Sequence, residues 1–302
     1  MTLQDALTES SATILRRDAE TLLAHLLQRD HAFLIAHADD SLADSILSDL
    51  RTLTTRRAAT EPLQYILGEQ DFYGLTLRVT PAALLPRPET ELLVEAVLDW
   101  ITDRISDPIL PHPHLLSPRI LDVGTGTGAI ALALAHHLPT AHVTATDISP
   151  AALALARENA ATHHLTGRIR FLLSDLLQSE ELHPPFDIIV SNPPYVASTD
   201  ASTLQPEVVL HEPHTALFAG PSGLDIYRRL IPQAHAALAP GGLLALEHGY
   251  TQREDLRTLL ETQPTATAPA TTQPATTAPP WHDLRFLDDY AGIPRIALAT
   301  RP

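Results

Sequence analysis

Cysteine is absent from the 302 residues, and so is lysine; all twenty basic residues are arginine. Without thiols the chain forms no disulfides, has no thiolate nucleophile and builds no cysteine-ligated metal centre. Without lysine it cannot run Schiff-base chemistry. Missing cysteine leaves the compartment open. No apolar run approaches the ~18 residues a membrane span needs. Met1 to Ala6 carries Asp5 and lacks a basic start ahead of an apolar stretch, so no secretory signal is expected. Positive charge is scarce: the net charge is −16, and residues 1–80 hold twelve acidic side chains against seven Arg. A protein that grips nucleic acid by neutralising phosphates needs the opposite balance. With 44% apolar residues, the chain reads as a soluble globular protein of one large or two moderate domains.

Sixteen histidines invite a metal reading. His136-His137 and His163-His164 are adjacent pairs near helix ends, where neighbouring side chains diverge by about 100° and cannot easily share one ion. His112 and His114 lie in a Pro-rich loop. With no cysteine and no H-E-x-x-H pattern, no metal is expected. No Ser-His-Asp ordering with a nucleophile elbow is present either.

Residues 1 to about 70 read as helical. Leu22, Leu23, Leu26 and Leu27 recur at helical spacing, as do Ile46, Leu47, Leu50 and Leu53. Asp18 and Ser41 are the expected N-caps of two of these helices. An extended stretch, 72–79, turns near Gly74, and Pro88 to Trp100 suits a helix that begins on proline. The segment 102–118 is a Pro/His-rich loop. From Arg119 strands and helices alternate: strands at 119–123, 142–146, 169–173, 186–190, 243–247, 284–287 and 295–299, helices at 128–138, 149–163 and 224–238. This alternation predicts a parallel sheet covered on both faces. Residues 263–280 are low-complexity Pro/Thr/Ala and are expected to form a floppy surface insertion. The expected division is a helical domain at 1–75, a connecting hairpin, helix and loop at 76–118, and a second domain at 119–302.

Two loops carry the chemistry. In the first, Leu121 to Ile130 ends a strand and opens a helix through Gly124-Thr125-Gly126-Thr127-Gly128. Glycines let the backbone turn sharply and approach a ligand where a Cβ would collide. The turn reads G-x-G-x-G, without the wider spacing of dinucleotide binders, and Asp122 precedes it. Asp147 closes the next strand, where a carboxylate can accept both hydroxyls of a ribose. Ser149 is the better candidate for a helix cap there. In the second loop, Ser191-Asn192-Pro193-Pro194-Tyr195 follows a short apolar strand. An amide or exocyclic amino nitrogen is a poor nucleophile, because its lone pair is delocalised; the ~18–20 kcal/mol barrier to peptide rotation measures how strongly. A site that activates such a nitrogen must offer acceptors to its N–H groups. Asn192 can provide a side-chain oxygen and Pro193 a backbone carbonyl. Neither Pro193 nor Pro194 brings a competing backbone N–H. Tyr195 supplies a flat face for a planar amide or base. In-line positioning can supply ~7–11 kcal/mol of the rest.

These segments together resemble the protein-(glutamine-N5) methyltransferases that modify peptide chain release factors, the HemK/PrmC family. The resemblance runs through Glu61 to Gly68, Phe72-Tyr73-Gly74, Leu85-Pro86-Arg87-Pro88-Glu89-Thr90-Glu91, Leu121 to Ile130, Asn192 to Tyr195, Glu212-Pro213, Gly223-Leu224, Tyr227-Arg228 and Leu246-Glu247. It implies an α/β fold, in which a seven-stranded Rossmann-like class I methyltransferase domain follows a small all-helical N-terminal domain that helps select the substrate. It implies that Gly124, Thr125, Gly126, Thr127, Gly128 and Asp147 contact S-adenosyl-L-methionine together with Asn192. Leu176 stands where the family often has an aromatic residue beside the adenine. Asn192, Pro193, Pro194 and Tyr195 would be the catalytic, substrate-holding residues, gripping the glutamine of the Gly-Gly-Gln loop of class 1 release factors in the cytoplasm. The segment Arg87 to Glu91 would line or support the site. His248 and His211 depart from the family pattern, as does Pro221-Ser222. The nearest alternative is the sister activity on a glutamine of a large-subunit ribosomal protein, whose counterpart of Arg87 to Thr90 usually reads differently. A DNA adenine-N6 methyltransferase would need a basic cleft, and a non-enzymatic scaffold would not need Asn192 and Asp147.

Overall fold

A computed structural model describes residues 1–106, 112–262 and 281–302. The expected insertion at 263–280 and part of the Pro/His-rich loop, 107–111, lie outside the described residues. The main elements in chain order are α1 (Leu3–Ser10), α2 (Arg16–Leu27), α3 (His31–Ala36), α4 (Asp44–Ala58), α5 (Leu63–Leu67), β1 (Glu69–Phe72), β2 (Leu75–Arg78), α6 (Pro88–Ile105) and β3 (Arg119–Val123). There follow α7 (Ala129–His137), β4 (His142–Asp147), α8 (Pro150–Thr162), β5 (Ile169–Leu173), β6 (Phe186–Ser191), α9 (Pro206–His211), α10 (Asp225–Ala237), β7 (Leu238–Glu247), α11 (Arg253–Thr262), β8 (His282–Asp288) and β9 (Pro294–Thr300). No helix among the described residues is long and apolar enough to cross a membrane.

The chain divides into two compact units. One comprises residues 1–69 with 204–212, the other 70–203 with 213–302. In the first, the leucine faces read from the sequence meet: Leu22 and Leu23 of α2 and Leu47 and Leu50 of α4 are buried with Leu3, Leu7 and Leu34. The caps differ from expectation. Leu15 holds the cap position of α2 and Ala43 that of α4, neither with a side-chain bond. Asp18 instead sits within the first turn of α2, buried, where its carboxylate accepts from Arg57 Nε at 2.7 Å. Ser41 lies ahead of α4 and forms an isolated bridge with Thr2. Thr2 is itself a cap, joined to Asp5 in a reciprocal capping box. Arg57 also reaches Glu207 Oε2 at 2.7 Å, which ties α9 to this helical unit.

The second unit is built on a seven-stranded sheet of order β5-β4-β3-β6-β7-β9-β8. Neighbouring residues of its strands point to opposite faces. Ile120, Ile188, Leu243 and Leu298 join one core with α6 and α7. Leu121, Ile189, Leu244 and Ala297 join a second core with α10 and α11. The sheet is mixed, which corrects the expectation of a purely parallel one. β5 to β7 run parallel, whereas β9 is antiparallel to both β7 and β8. The residues between β8 and β9, 289–293, are too few for the crossover a parallel pair requires, so the two form a hairpin.

Candidate active site

The order of the sheet reverses between β3 and β6: the chain runs from β3 out through β4 and β5, then crosses to β6 and β7. At such a switch point the connections leave towards opposite faces, and the crevice beyond the strand ends is where open α/β sheets bind ligands. The glycine turn after β3 and the Asn-Pro-Pro-Tyr loop after β6 both open there, on strands paired through Asp122 and Val190. Ser191 Oγ ties the second loop to the first strand by donating to the Val123 carbonyl at 2.7 Å.

The glycine turn is held from beneath. Gly124 and Thr125 N–H both donate to the Thr146 carbonyl, at 2.8 and 2.9 Å. Gly124 and Gly126 have φ of +75° and +56°, which glycine reaches without strain. Gly128 has φ +87°, and a Cβ there would stand 2.4 Å from Leu132 Cδ1 and 3.2 Å from Ala156 Cβ, so it serves the close packing of α7 on α8. Asp122 is fully buried; one oxygen accepts from Thr125 Oγ1 at 2.6 Å and from Ala131 N–H at 3.2 Å. Its other oxygen has no partner, and burial pushes its carboxyl up to about 7.

Asp147 accepts Gly126 N–H at 2.9 Å on one oxygen and Ser149 N–H at 2.8 Å on the other. Burial raises its carboxyl, against the pull of these bonds. A carboxylate offers about four lone-pair sites, so both oxygens can take a further hydroxyl. Ser149 caps α8 by accepting from Ala152 N–H, as expected.

Asn192 Nδ2 donates to Thr90 Oγ1 at 3.0 Å, and Thr90 Oγ1 donates to Glu247 Oε2 at 2.7 Å. The Asn192 side-chain oxygen is buried with no hydrogen-bond partner. Glu247 closes β7 and is itself buried, which pushes its carboxyl up to about 7 although Thr90 and Arg295 favour the charged form. Tyr195 OH reaches Glu247 Oε1 at 3.4 Å, and Tyr227 OH donates to the Glu247 backbone carbonyl at 2.7 Å. Burial, with the Glu247 charge second, holds the Tyr195 phenol protonated beyond its usual range.

These surfaces enclose a cleft of about 130 Å³ that lies wholly within the second unit. Of the residues singled out in the sequence, Gly124, Thr125, Gly126, Thr127, Asp147, Asn192 and Pro194 line it, as do Arg87 and Thr90. Gly128, Pro193, Tyr195 and Leu176 do not. Leu176, at φ +53°, packs against the α10 side of the sheet. His248 is buried against Phe286, and burial lowers its pKa, so a neutral ring fills that space. Among the described residues no group of three or more His, Asp or Glu could hold a metal ion.

Two supporting residues escaped the sequence reading. Asn159 on α8 takes Arg78 N–H at 2.8 Å and donates to the Thr127 carbonyl at 2.9 Å, bracing the glycine turn. Gln252 donates to the Tyr195 carbonyl at 2.9 Å, and Gly223 must be glycine because a Cβ would stand 2.3 Å from that same oxygen. Both look like ordinary helix and loop polar residues, and only their burial sets them apart.

Residues 2–68 match the family model of the PrmC N-terminal domain, and 102–221 that of the methyltransferase small domain. The chain is 38% identical to the release factor glutamine methyltransferase of Koribacter versatilis over 95% of its own length and 91% of that protein. With the enzyme of the same name from Moorella thermoacetica the identity is 40%, over 100% of this chain and 99% of that one. The chain belongs to the release factor glutamine methyltransferases. Among solved structures, the hMettl16 catalytic domain in complex with a MAT2A 3'UTR hairpin superposes with a TM-score of 0.53 at 18% identity, covering 92% of this chain and 90% of that one. That likeness shows the fold, a class I methyltransferase sheet.

Proposed function

We propose that this protein transfers a methyl group from S-adenosyl-L-methionine to the side-chain N5 of the glutamine in the Gly-Gly-Gln loop of class 1 peptide chain release factors. The observation that carries the chemistry is the buried Asn192 oxygen without a partner, beside a cleft edged by the glycine turn. A buried acceptor left open costs about 1–3 kcal/mol, and a ligand N–H would remove that cost. The substrate follows from family membership.

The residues fit the methyl donor. Gly124 to Thr127 would cradle it, and Asp147, with lone pairs to spare on both oxygens, would take the ribose hydroxyls. When bound, S-adenosyl-L-methionine supplies an electrophilic methyl group on its sulfonium. Asn192 Oδ1 and the Pro193 carbonyl accept the two N–H groups of the glutamine amide, orient its nitrogen and favour the positive charge that grows as the lone pair is drawn out of conjugation. Pro194 and Tyr195 fix the loop and its apolar surface. No strong base is required, since the proton leaves after transfer. Leu176 would stand beside the adenine, where it offers an apolar contact but no ring to stack. The helical N-terminal domain helps select the protein substrate, and a release-factor substrate would place the reaction in the cytoplasm.

The test offers labelled S-adenosyl-L-methionine with release factor, release factor whose Gly-Gly-Gln glutamine is replaced, ribosomal proteins and DNA in parallel. Label on intact release factor alone, lost with the glutamine, is the expected result. Label on a ribosomal protein or on DNA would overturn the substrate.

A further inference from the structure

Three elements meet behind Asn192. Thr90 stands in the first turn of α6, Glu247 at the end of β7, and Asn192 just past β6, whose last residue pairs with Leu246. Both Thr90 and Glu247 are buried, so water does not complete their bonds. In its ionised form, which prevails above about pH 7, Glu247 can only accept. The Thr90 proton is therefore committed to Glu247 Oε2, 2.7 Å away, and the Thr90 oxygen is left to accept. Its donor is the Asn192 amide NH₂ at 3.0 Å. With the NH₂ taken, the other end of that amide, Oδ1, is the one left open.

We propose that Glu247, acting through the Thr90 hydroxyl, fixes the Asn192 amide with its oxygen rather than its NH₂ available to the substrate, so that Thr90 and Glu247 are positioning residues for methyl transfer to an amide nitrogen. The inference rests on the function proposed above. A reversed amide would present a donor to the substrate's own N–H groups, and the site would repel the nitrogen it has to hold. The chain of bonds also ends on a carboxylate, so it polarises Asn192 Oδ1 in the sense that strengthens an acceptor. Arg295 on β9 favours the charged form of Glu247 and Glu89 opposes it, while the Tyr195 hydroxyl approaches the second oxygen. An ionisable carboxyl buried in this way, with no ion-pair partner among the described residues, is an expensive way to pin one helix to one strand. As a setter of amide direction it has a use that a hydrophobic pair could not supply.

The chain has only two asparagines, Asn159 and Asn192. Protein labelled with ¹⁵N-asparagine therefore shows two side-chain amide pairs, and the experiment compares these spectra and the transfer kinetics in wild type, Thr90→Val and Thr90→Ser. The expected result is that Thr90→Val moves the Asn192 pair, leaves the Asn159 pair in place and lowers kcat by ~10–100-fold, less than the loss of a direct transition-state bond. KM for release factor should change by less than about threefold, because binding is largely retained. Thr90→Ser, which keeps the hydroxyl and loses the methyl, should restore both spectrum and rate; a purely packing role predicts that Ser is the worse of the two. If Thr90→Val does not fold, Thr90→Ala serves as the variant without a hydroxyl. Wild type that labels release factor while Thr90→Val matches its kcat would overturn this inference and leave the function standing. Wild type that labels no glutamine would sink the function, and then an Asn192 pair unmoved by Thr90→Val would overturn this inference as well.

Discussion

Replacing Gly128 by alanine should damage the fold more than replacing Gly124, although both open the same turn. Gly124 has φ +75° and nothing within 4 Å of the added carbon, so Gly124→Ala carries the left-handed backbone penalty alone. That is roughly 1–2 kcal/mol for an L residue. Gly128 adds a collision: the new carbon would lie 2.4 Å from Leu132 Cδ1 and 3.2 Å from Ala156 Cβ. Leu132 is wholly buried and cannot swing into solvent, and the Ala156 methyl has no alternative rotamer, so α7 and α8 must separate. Overpacking of this kind typically costs about 1–3 kcal/mol. The sum for Gly128→Ala is roughly 2–5 kcal/mol, a large share of the ~5–15 kcal/mol of a whole domain. Both tryptophans, Trp100 and Trp281, are buried in the sheet unit, so their fluorescence in urea follows that unit. At an m-value of ~3 kcal/mol/M, the Gly128→Ala midpoint should fall by about 1 M and the Gly124→Ala midpoint by about half that. Equal losses in the two variants, with unchanged m, would refute the packing role of Gly128.

Asn192→Ala should lower the methyl-transfer rate by ~10²–10³-fold, the usual loss for one transition-state hydrogen bond. Calorimetric binding of S-adenosylhomocysteine should change far less, and activity within about threefold of wild type would remove Asn192 from the catalytic centre. Glu247→Gln should gain stability over wild type as pH rises. The buried carboxyl is pushed from its ordinary 4.5 up to about 7, so the folded protein holds this proton more tightly than the unfolded chain. The destabilisation from ionising it is absent below about 4.5, grows through that window and is complete above about 7. At 1.36 kcal/mol per unit this amounts to at most roughly 3 kcal/mol, or several degrees in Tm. A Tm difference between Glu247→Gln and wild type that stays flat from pH 5 to pH 8 would contradict the desolvation of Glu247.

Legibility in this chain follows the range of the interaction that decides each feature. Most strand and helix bounds in the sheet unit were readable because period-two and period-3.6 patterns are local, and Pro150 with Ser149 marks a helix start within two residues; α11, the first half of β7 and the last turn of α6 were not. The misread caps have a non-local cause: Asp18 meets every local criterion for a cap, but Arg57, 39 residues later, takes its carboxylate into the interior. The helix of the 204–212 segment was not read, since six residues of helix show no periodicity and its place is set by an ion pair that spans 150 residues. The candidate site divides in the same way. Its two motifs are short and could be found by eye, because a glycine turn and an Asn-Pro-Pro-Tyr loop each need their neighbours in sequence. The direction of the Asn192 amide is a different kind of fact. It depends on bonds between residues 102 and 157 positions apart, Asn192 to Thr90 and Thr90 to Glu247. A motif can name the residue that must accept a hydrogen bond; which end of its amide is free to do so is decided by a buried carboxylate on another strand.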